Sequence, residues 1–159
     1  MNATPTPIND RELVLTRIID VPREKLYRCW TEPELLKQWF APKPYMTPFA
    51  ELDVRAGGFN RITMRSPEGQ DMPNQGVYLE VVPNEKIVFT DAYTAGWVPS
   101  ENPFFTAILT FEDLGGGKTR YTARARHWTQ EKCEAHKKMG FHEGWGICAD
   151  QMAALAATL

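Results

Sequence analysis

The chain has 159 residues, 43% of them hydrophobic and 24% charged, the range of one globular domain able to bury a sizeable core. Eighteen Lys and Arg against 20 Asp and Glu give a net charge of -2 and a pI near 5.9, so no overall field draws in nucleic acid or anionic membrane. No apolar run approaches the roughly 18 residues of a membrane span, and "MNATPTPIND" lacks a basic segment followed by an apolar one. Cys29, Cys133 and Cys148 form no CxxC and cannot all pair, which suits free thiols in a reducing compartment. The expectations are a cytoplasmic protein with no nucleic-acid partner and no membrane span.

In chain order, residues 1–8, with their Pro and Thr content, predict a flexible tail, and residues 9–159 one domain without linker or repeat. "RELVLTRIID" is rich in β-branched residues and Leu and ends at Val21-Pro22, which predicts a first strand. Asp20 stands where a helix N-cap would, and Leu26, Cys29 and Trp30 then share one helical face. Thr31 stands as the cap of a second short helix, "EPELLKQWF", which carries Leu35, Leu36, Trp39 and Phe40. Beyond Pro42 the period changes to that of strands: 45–52, 58–65, 75–82, 86–93, 104–112 and 118–127, joined by "RAGG", "SPEG", "VPNEK" and "LGGGK". Six strands joined mostly by short turns predict an antiparallel meander.

The last strand separates by parity. Arg120, Thr122, Arg124 and Arg126 form one face, read as solvated, while Tyr121, Ala123, Ala125 and His127 form the other. The two alanines leave room for an element to lie across the sheet. From Met139 onward, Phe141, Trp145, Cys148, Met152, Leu155 and Leu159 step by helical spacing, predicting a long amphipathic helix that occupies this room. Gly144 and Gly146 weaken that helix and are expected at close backbone contacts or at a bend.

The stretches "RIIDVPREKLYRCWTEPELLKQWFAP", "DVRAGGFNRITM", "GVYLEVVPNEKIVFTDAY", "LTFEDLGGGKTRYTA" and "HKKMGFHEGWGICADQMAAL" resemble the heat shock protein 90 ATPase activator homologues, nearly throughout from Arg11. The resemblance implies an α+β, START-like helix-grip fold of the SRPBCC superfamily. In that fold a curved antiparallel sheet of about seven strands, with two short helices after the first, wraps a long C-terminal helix and leaves an apolar cavity.

Trp39 and Phe40 then have two readings: they cap the core where the short helices meet the sheet, or they form one lip of the cavity. The segment "PKPYMTPF" and the loop "TAGWVPSENPF", with Trp97 at its tip, would extend the rim. Phe59, Phe89, Tyr93, Phe141 and Trp145 are the expected lining. Arg61 either pairs an anionic head group or makes a surface salt bridge, according to which strand face is concave. His127, by parity with Tyr121, joins the ligand-binding candidates, and with Asp91 and Tyr93 it carries an enzyme reading. No nucleophile elbow and no Gly-rich phosphate loop is present, and no catalytic residue is assigned. The Cys133-His136 pair with His142 lacks a second ligand pair, so neither metal nor cofactor is expected. Three functions stay open: binding of a small apolar or amphipathic molecule, an enzyme of cyclase or hydrolase type, and a co-chaperone domain with a chaperone partner. A homodimer also stays open.

Overall fold

The computed structural model describes residues 5–159. Half of the expected tail, residues 1–4, lies outside the described residues. The chain enters the fold early, because the Ile8 N–H donates to Glu12 Oε1 at 2.9 Å.

Strand β1 (Glu12–Ile19) leads into two short helices, α1 (Arg23–Thr31) and α2 (Pro33–Trp39). The meander follows as β2 (Met46–Leu52), β3 (Phe59–Arg65), β4 (Asp71–Val82) and β5 (Lys86–Thr90). Two-residue strands β6 (Tyr93–Thr94) and β7 (Val98–Pro99) form a small separate ribbon. The long hairpin β8 (Phe105–Gly115) and β9 (Lys118–His127) precedes helices α3 (Gln130–Lys138) and α4 (Phe141–Ala156). Seven strands form one antiparallel sheet in the order β1-β9-β8-β5-β4-β3-β2, and β1 closes beside β9. This is the helix-grip architecture. No helix among the described residues is long and apolar enough to cross a membrane.

Local chemistry departs from the expected elements at four places. Pro22, not Asp20, occupies the N-cap position of α1, without a side-chain cap. Thr31 ends α1 instead of capping α2, its hydroxyl donating back to the Tyr27 carbonyl at 2.9 Å. The break falls at Glu32, held extended ahead of Pro33 because the proline ring excludes helical space for its predecessor. The strand expected over 86–93 stops at Thr90, where the Asp91 carboxylate accepts the N–H groups of Phe104 (2.9 and 3.0 Å) and Phe105 (3.2 Å). Those bonds reach across the loop and divert the chain into the ribbon.

The fourth departure is α3. Thr129 caps it by accepting the Lys132 N–H at 3.1 Å, and Gly140, at φ 92 in the left-handed region open to glycine, separates it from α4. The terminal helix therefore starts at Phe141, not Met139.

Strand β9 presents Ala123 and Ala125 to the core that α4 also joins, and Ala107 of β8 lies opposite Ala125, all three fully buried. The C-terminal half of α4 buries Ala149, Met152 and Ala156 in the core, where the helix packs against α1, α2 and β1. Gly146 sits beside the Arg17 guanidinium, which reaches Asp150 at 3.6 Å; a Cβ there would meet Arg17 Nη2 at 2.5 Å. The close approach expected of that glycine is present.

The outer face of β9 is only half solvated. Glu12 has no exposed side-chain surface and accepts from Arg124 Nη1 (2.8 Å) and Arg126 Nε (2.7 Å). Burial by itself would raise the Glu12 carboxyl, but the bonds from Arg126 and the Ile8 N–H and the charge of Arg124 outweigh it and hold the group below the usual carboxylate value.

Replacing the fully buried Met152 by Ala removes apolar volume from beneath α4, and the loss is expected at about 2–5 kcal/mol. Urea unfolding followed by far-ultraviolet circular dichroism measures it; an unchanged midpoint would mean that α4 is not docked by this half.

Candidate functional site

Helix α4 meets the sheet at β1, where Gly146 approaches Arg17 and Leu15. Between its N-terminal half and strands β3, β4, β5 and β8 lies a cavity of about 510 Å³. One wall is aromatic: Trp30 of α1, Trp39 and Phe40 at the end of α2, Phe89 of β5, and Phe104 and Phe105 at the start of β8. Phe141, Gly144, Trp145 and Cys148 of α4 form the roof, and Asn60, Ile62 and Met64 of β3 form the far wall. The rings support one another, with Trp30 4.8 Å from Trp39 and 5.9 Å from Phe89 between centroids, and Phe141 5.3 Å from Trp145.

Polar groups in this lining are few and largely committed. Asp91 is occupied by the two backbone N–H groups of β8's approach. Trp30 and Asn60 differ, since both are more than nine-tenths buried and neither Trp30 Nε1 nor Asn60 Nδ2 has a hydrogen-bond partner. Leaving a buried donor unpaired costs about 1–3 kcal/mol. The third such atom among the described residues, Arg23 Nε, does not line the cavity. Burial pushes the Tyr121 phenol up, partly offset by the neighbouring Trp30 indole N–H. That N–H nevertheless falls outside hydrogen-bond geometry, so the pair is close without being bonded.

On the α3 side the lining carries His136, packed among Phe104, Phe105 and Phe141 at centroid distances of 5.0, 5.4 and 5.1 Å. Its Nδ1 lies 2.8 Å from His127 Nε2, and His127 Nδ1 lies 2.9 Å from the Arg11 carbonyl. Donor accounting fixes both tautomers. A carbonyl only accepts, so His127 Nδ1 carries hydrogen and its Nε2, in the neutral ring, must accept from His136 Nδ1. His136 Nε2 is left as a bare acceptor without a protein partner. Burial, and then the neighbouring His127, push the His136 pKa down to about 4; burial, partly offset by the Arg11 carbonyl, lowers that of His127.

Of the residues singled out from sequence, Trp39, Phe40, Phe89, Phe141 and Trp145 come together around the cavity. Trp39 serves the core as well, being buried with its indole N–H donating to the Cys29 carbonyl at 2.9 Å. Phe59 and Arg61 lie on the opposite face of β3, because the register sets Asn60 against Gly76 and Ile62 against Asn74 on the inner side. Arg61 pairs with Glu51 at 2.8 Å and stacks over Phe59 at 4.1 Å, the surface alternative for that residue. Tyr93 and Trp97 belong to the β6–β7 ribbon, 5.7 Å apart between centroids and outside the lining. His127 stands one residue behind it, as support for His136.

The enzyme reading required Asp91, Tyr93 and His127 to converge, and they do not, since Asp91 holds backbone, Tyr93 is in the ribbon and His127 faces His136. Cys133 and His136 are both buried on α3, but no group of three or more His, Cys, Asp or Glu among the described residues could hold a metal. All three cysteines are free, and burial pushes the Cys29 thiol up to about 11, making it unreactive.

Trp30, Asn60, Tyr121 and His136 are the functional candidates that sequence reasoning missed as cavity groups. The alternation "NRITM" carried a signal for Asn60, since Arg61 and Arg65 sharing one parity marks that parity as the wet one.

A family model described as Activator of Hsp90 ATPase homolog 1-like protein matches residues 20–157. The solved structure of a Nitrosomonas europaea protein is 38% identical with a TM-score of 0.90, covering 94% of this chain and 96% of that one. A Chromobacterium violaceum protein is 25% identical with a TM-score of 0.74, over 91% of this chain and 96% of that one. A Rhodobacter sphaeroides protein, 19% identical with a TM-score of 0.83 over 97% of each chain, shares the fold. No curated protein matches the chain significantly.

The histidine pair makes stability pH-dependent in a defined window. In the unfolded chain His136 protonates near 6.5, but in the folded protein only near 4, so between these values the unfolded state binds more protons. Stability is full above 6.5 and falls as pH drops toward 4, by up to about 3 kcal/mol. His136→Asn keeps a donor toward His127 and does not titrate. Melting midpoints from pH 7 to 4 should therefore fall less steeply in the variant, and equal slopes would show that His136 is not held neutral.

Proposed function

The chain belongs to the Activator of Hsp90 ATPase homolog 1-like family, and we propose that it binds a small apolar or amphipathic molecule in the cavity between α4 and the sheet. The observation that carries this reading is the standoff of α4. Protein interiors ordinarily close to crystal-like density, because each void forfeits dispersion contacts on its lining. Here α4 is seated against α1, α2 and β1, while its side that carries Phe141, Gly144, Trp145 and Cys148 leaves about 510 Å³ toward β3, β4, β5 and β8, a volume typical of ligand pockets. Aromatic rings around it supply apolar area at low conformational cost, and His136 Nε2 on the lining is left without a protein partner for a ligand to satisfy.

A chaperone partner is a second reading, favoured by the exposed Tyr93, Trp97 and Val98 on the β6–β7 ribbon. Exposed apolar clusters of this kind suit protein contacts better than small ligands. It ranks below ligand binding because the ribbon is outside the enclosed volume.

Gly144 provides the test, since it lines the cavity and a Cβ built there would meet no atom within 4 Å. Exchanging it for a residue with a side chain improves helix propensity by roughly 0.5–1 kcal/mol. Gly144→Leu should therefore melt no lower than the wild type while losing uptake of Nile red, an uncharged apolar dye, measured by its fluorescence. Undiminished uptake by the folded variant would put the dye elsewhere and remove the basis of the proposal.

A further inference from the structure

The polar groups of the cavity define what its occupant must carry. Charge is the first constraint. The lining contains no Lys or Arg, and its one carboxylate, Asp91, is taken up by the N–H groups of Phe104 and Phe105. Arg61, the nearest sequence candidate for an anionic head group, is held outside by Glu51 and Phe59. A carboxylate or phosphate entering the cavity would lose its hydration without gaining a counter-charge, and an ammonium would find no free carboxylate.

Hydrogen-bond polarity is the second constraint. Trp30 Nε1 and Asn60 Nδ2 lack partners but have almost no accessible surface, so an occupant of the cavity does not reach them. On the α3 side, the chain of bonds from the Arg11 carbonyl through His127 leaves His136 with a bare Nε2, which only a donor answers. The Tyr121 hydroxyl, beside Trp30, can turn to either role.

We propose, on the premise that the cavity is a ligand site, that its ligand is an uncharged apolar molecule carrying a hydroxyl that donates to His136 Nε2. Selectivity then comes from matched polarity. An analogue without the hydroxyl is rejected, because the acceptor is left unpaired. His127 acts as a positioning residue, since its Nε2 compels the His136 proton onto Nδ1 and so keeps Nε2 an acceptor.

Displacement of Nile red from the full chain at pH 7.5 tests this with three naphthalene probes. The first bears an ethyl group on one ring and a hydroxyl on the other. The second is its methyl ether, and the third has carboxylate in place of ethyl. The first should bind tightest, with each of the other two weaker by about tenfold or more. His136→Asn should bring the hydroxyl probe and its methyl ether together to within about twofold. A carboxylate probe bound as tightly as the ethyl one, or a hydroxyl preference that survives His136→Asn, overturns the assignment. Nile red uptake without head-group preference overturns the assignment alone, whereas absence of dye uptake removes the ligand-site reading with it. Should the variant fail to fold, the three wild-type affinities decide the matter.

Discussion

The fold depends on where α4 is seated. It packs against α1, α2 and β1: Gly146 comes up against Leu15 and Arg17 of β1, and Ala149, Met152 and Ala156 are buried in the core. Small residues on the helix allow the backbones to approach. Toward β3, β4, β5 and β8 the helix turns Phe141, Gly144, Trp145 and Cys148, and there it stands off, with the Trp145 ring 6.2 Å from that of Phe105. A helix seated at one edge of the sheet and held off the rest leaves a volume between. Gln151 then fixes the near edge of that volume: its Nε2 donates to the carbonyls of Trp39 and Ala41 at 2.9 Å each, and its Oε1 accepts the Lys43 N–H at 3.1 Å. Ala41, a cavity residue, is held at φ 111, a left-handed conformation that costs a residue with a Cβ.

The aromatic cluster serves packing and function with the same atoms. Trp39 is buried against Trp30 and bonded to Cys29, as a core residue should be, yet its ring also closes the cavity. No choice between core and lip is needed, because in a fold with an internal void the lining is the core. What distinguishes a recognition group from a packing group here is an unspent polar atom that an occupant can reach. Trp39 has spent its N–H on a carbonyl and that of Trp30 is sealed from the cavity, whereas His136 on the lining keeps a bare Nε2.

Charge is sorted by face. Arginines of β3 and β9 point away from α4 and are paired there, Arg61 with Glu51, Arg65 with Asp71, and Arg124 and Arg126 with the enclosed Glu12. Apart from Asp91, whose carboxylate is taken up by backbone N–H groups, the inner side keeps neutral polar groups, above all the histidine pair, whose hydrogen-bond chain gives His136 a fixed polarity without a charge. A low-dielectric interior magnifies the cost of an unpaired charge, so keeping ions outside and dipoles inside leaves the cavity selective for molecules of its own kind.

Much of the architecture was legible in the sequence, because periodicity is a local property. The strand runs, the alternation of Arg and Ala along β9, and the apolar stripe of α4 follow from spacing, and spacing follows from the backbone geometry of each element. The two short helices were legible for the same reason, though not their caps: Thr31 donates its hydroxyl hydrogen back to the carbonyl of Tyr27 instead of accepting an N–H from the start of α2. Helix α3 was obscured because its polar surface dominates a nine-residue stretch of which only Cys133 and His136 are buried.

The site divides along the same line. Phe89, Phe141 and Trp145 were readable as cavity candidates from face and parity alone. Which face of β3 turns inward, and hence whether Arg61 or Asn60 meets the cavity, was hinted at by the shared parity of Arg61 and Arg65 and settled by the tertiary structure, which sets Asn60 and Ile62 on the lining. The end of β5 was set by Asp91 reaching across the loop to Phe104, and the polarity of His136 by His127, nine residues earlier in the chain and itself oriented by the carbonyl of Arg11 on a distant segment. Sequence by itself determined which residues share a face, because that depends only on local dihedral angles. Tertiary structure alone decided which polar atoms remain unspent, because a hydrogen bond is defined by its partner, and every partner that mattered here came from elsewhere in the chain.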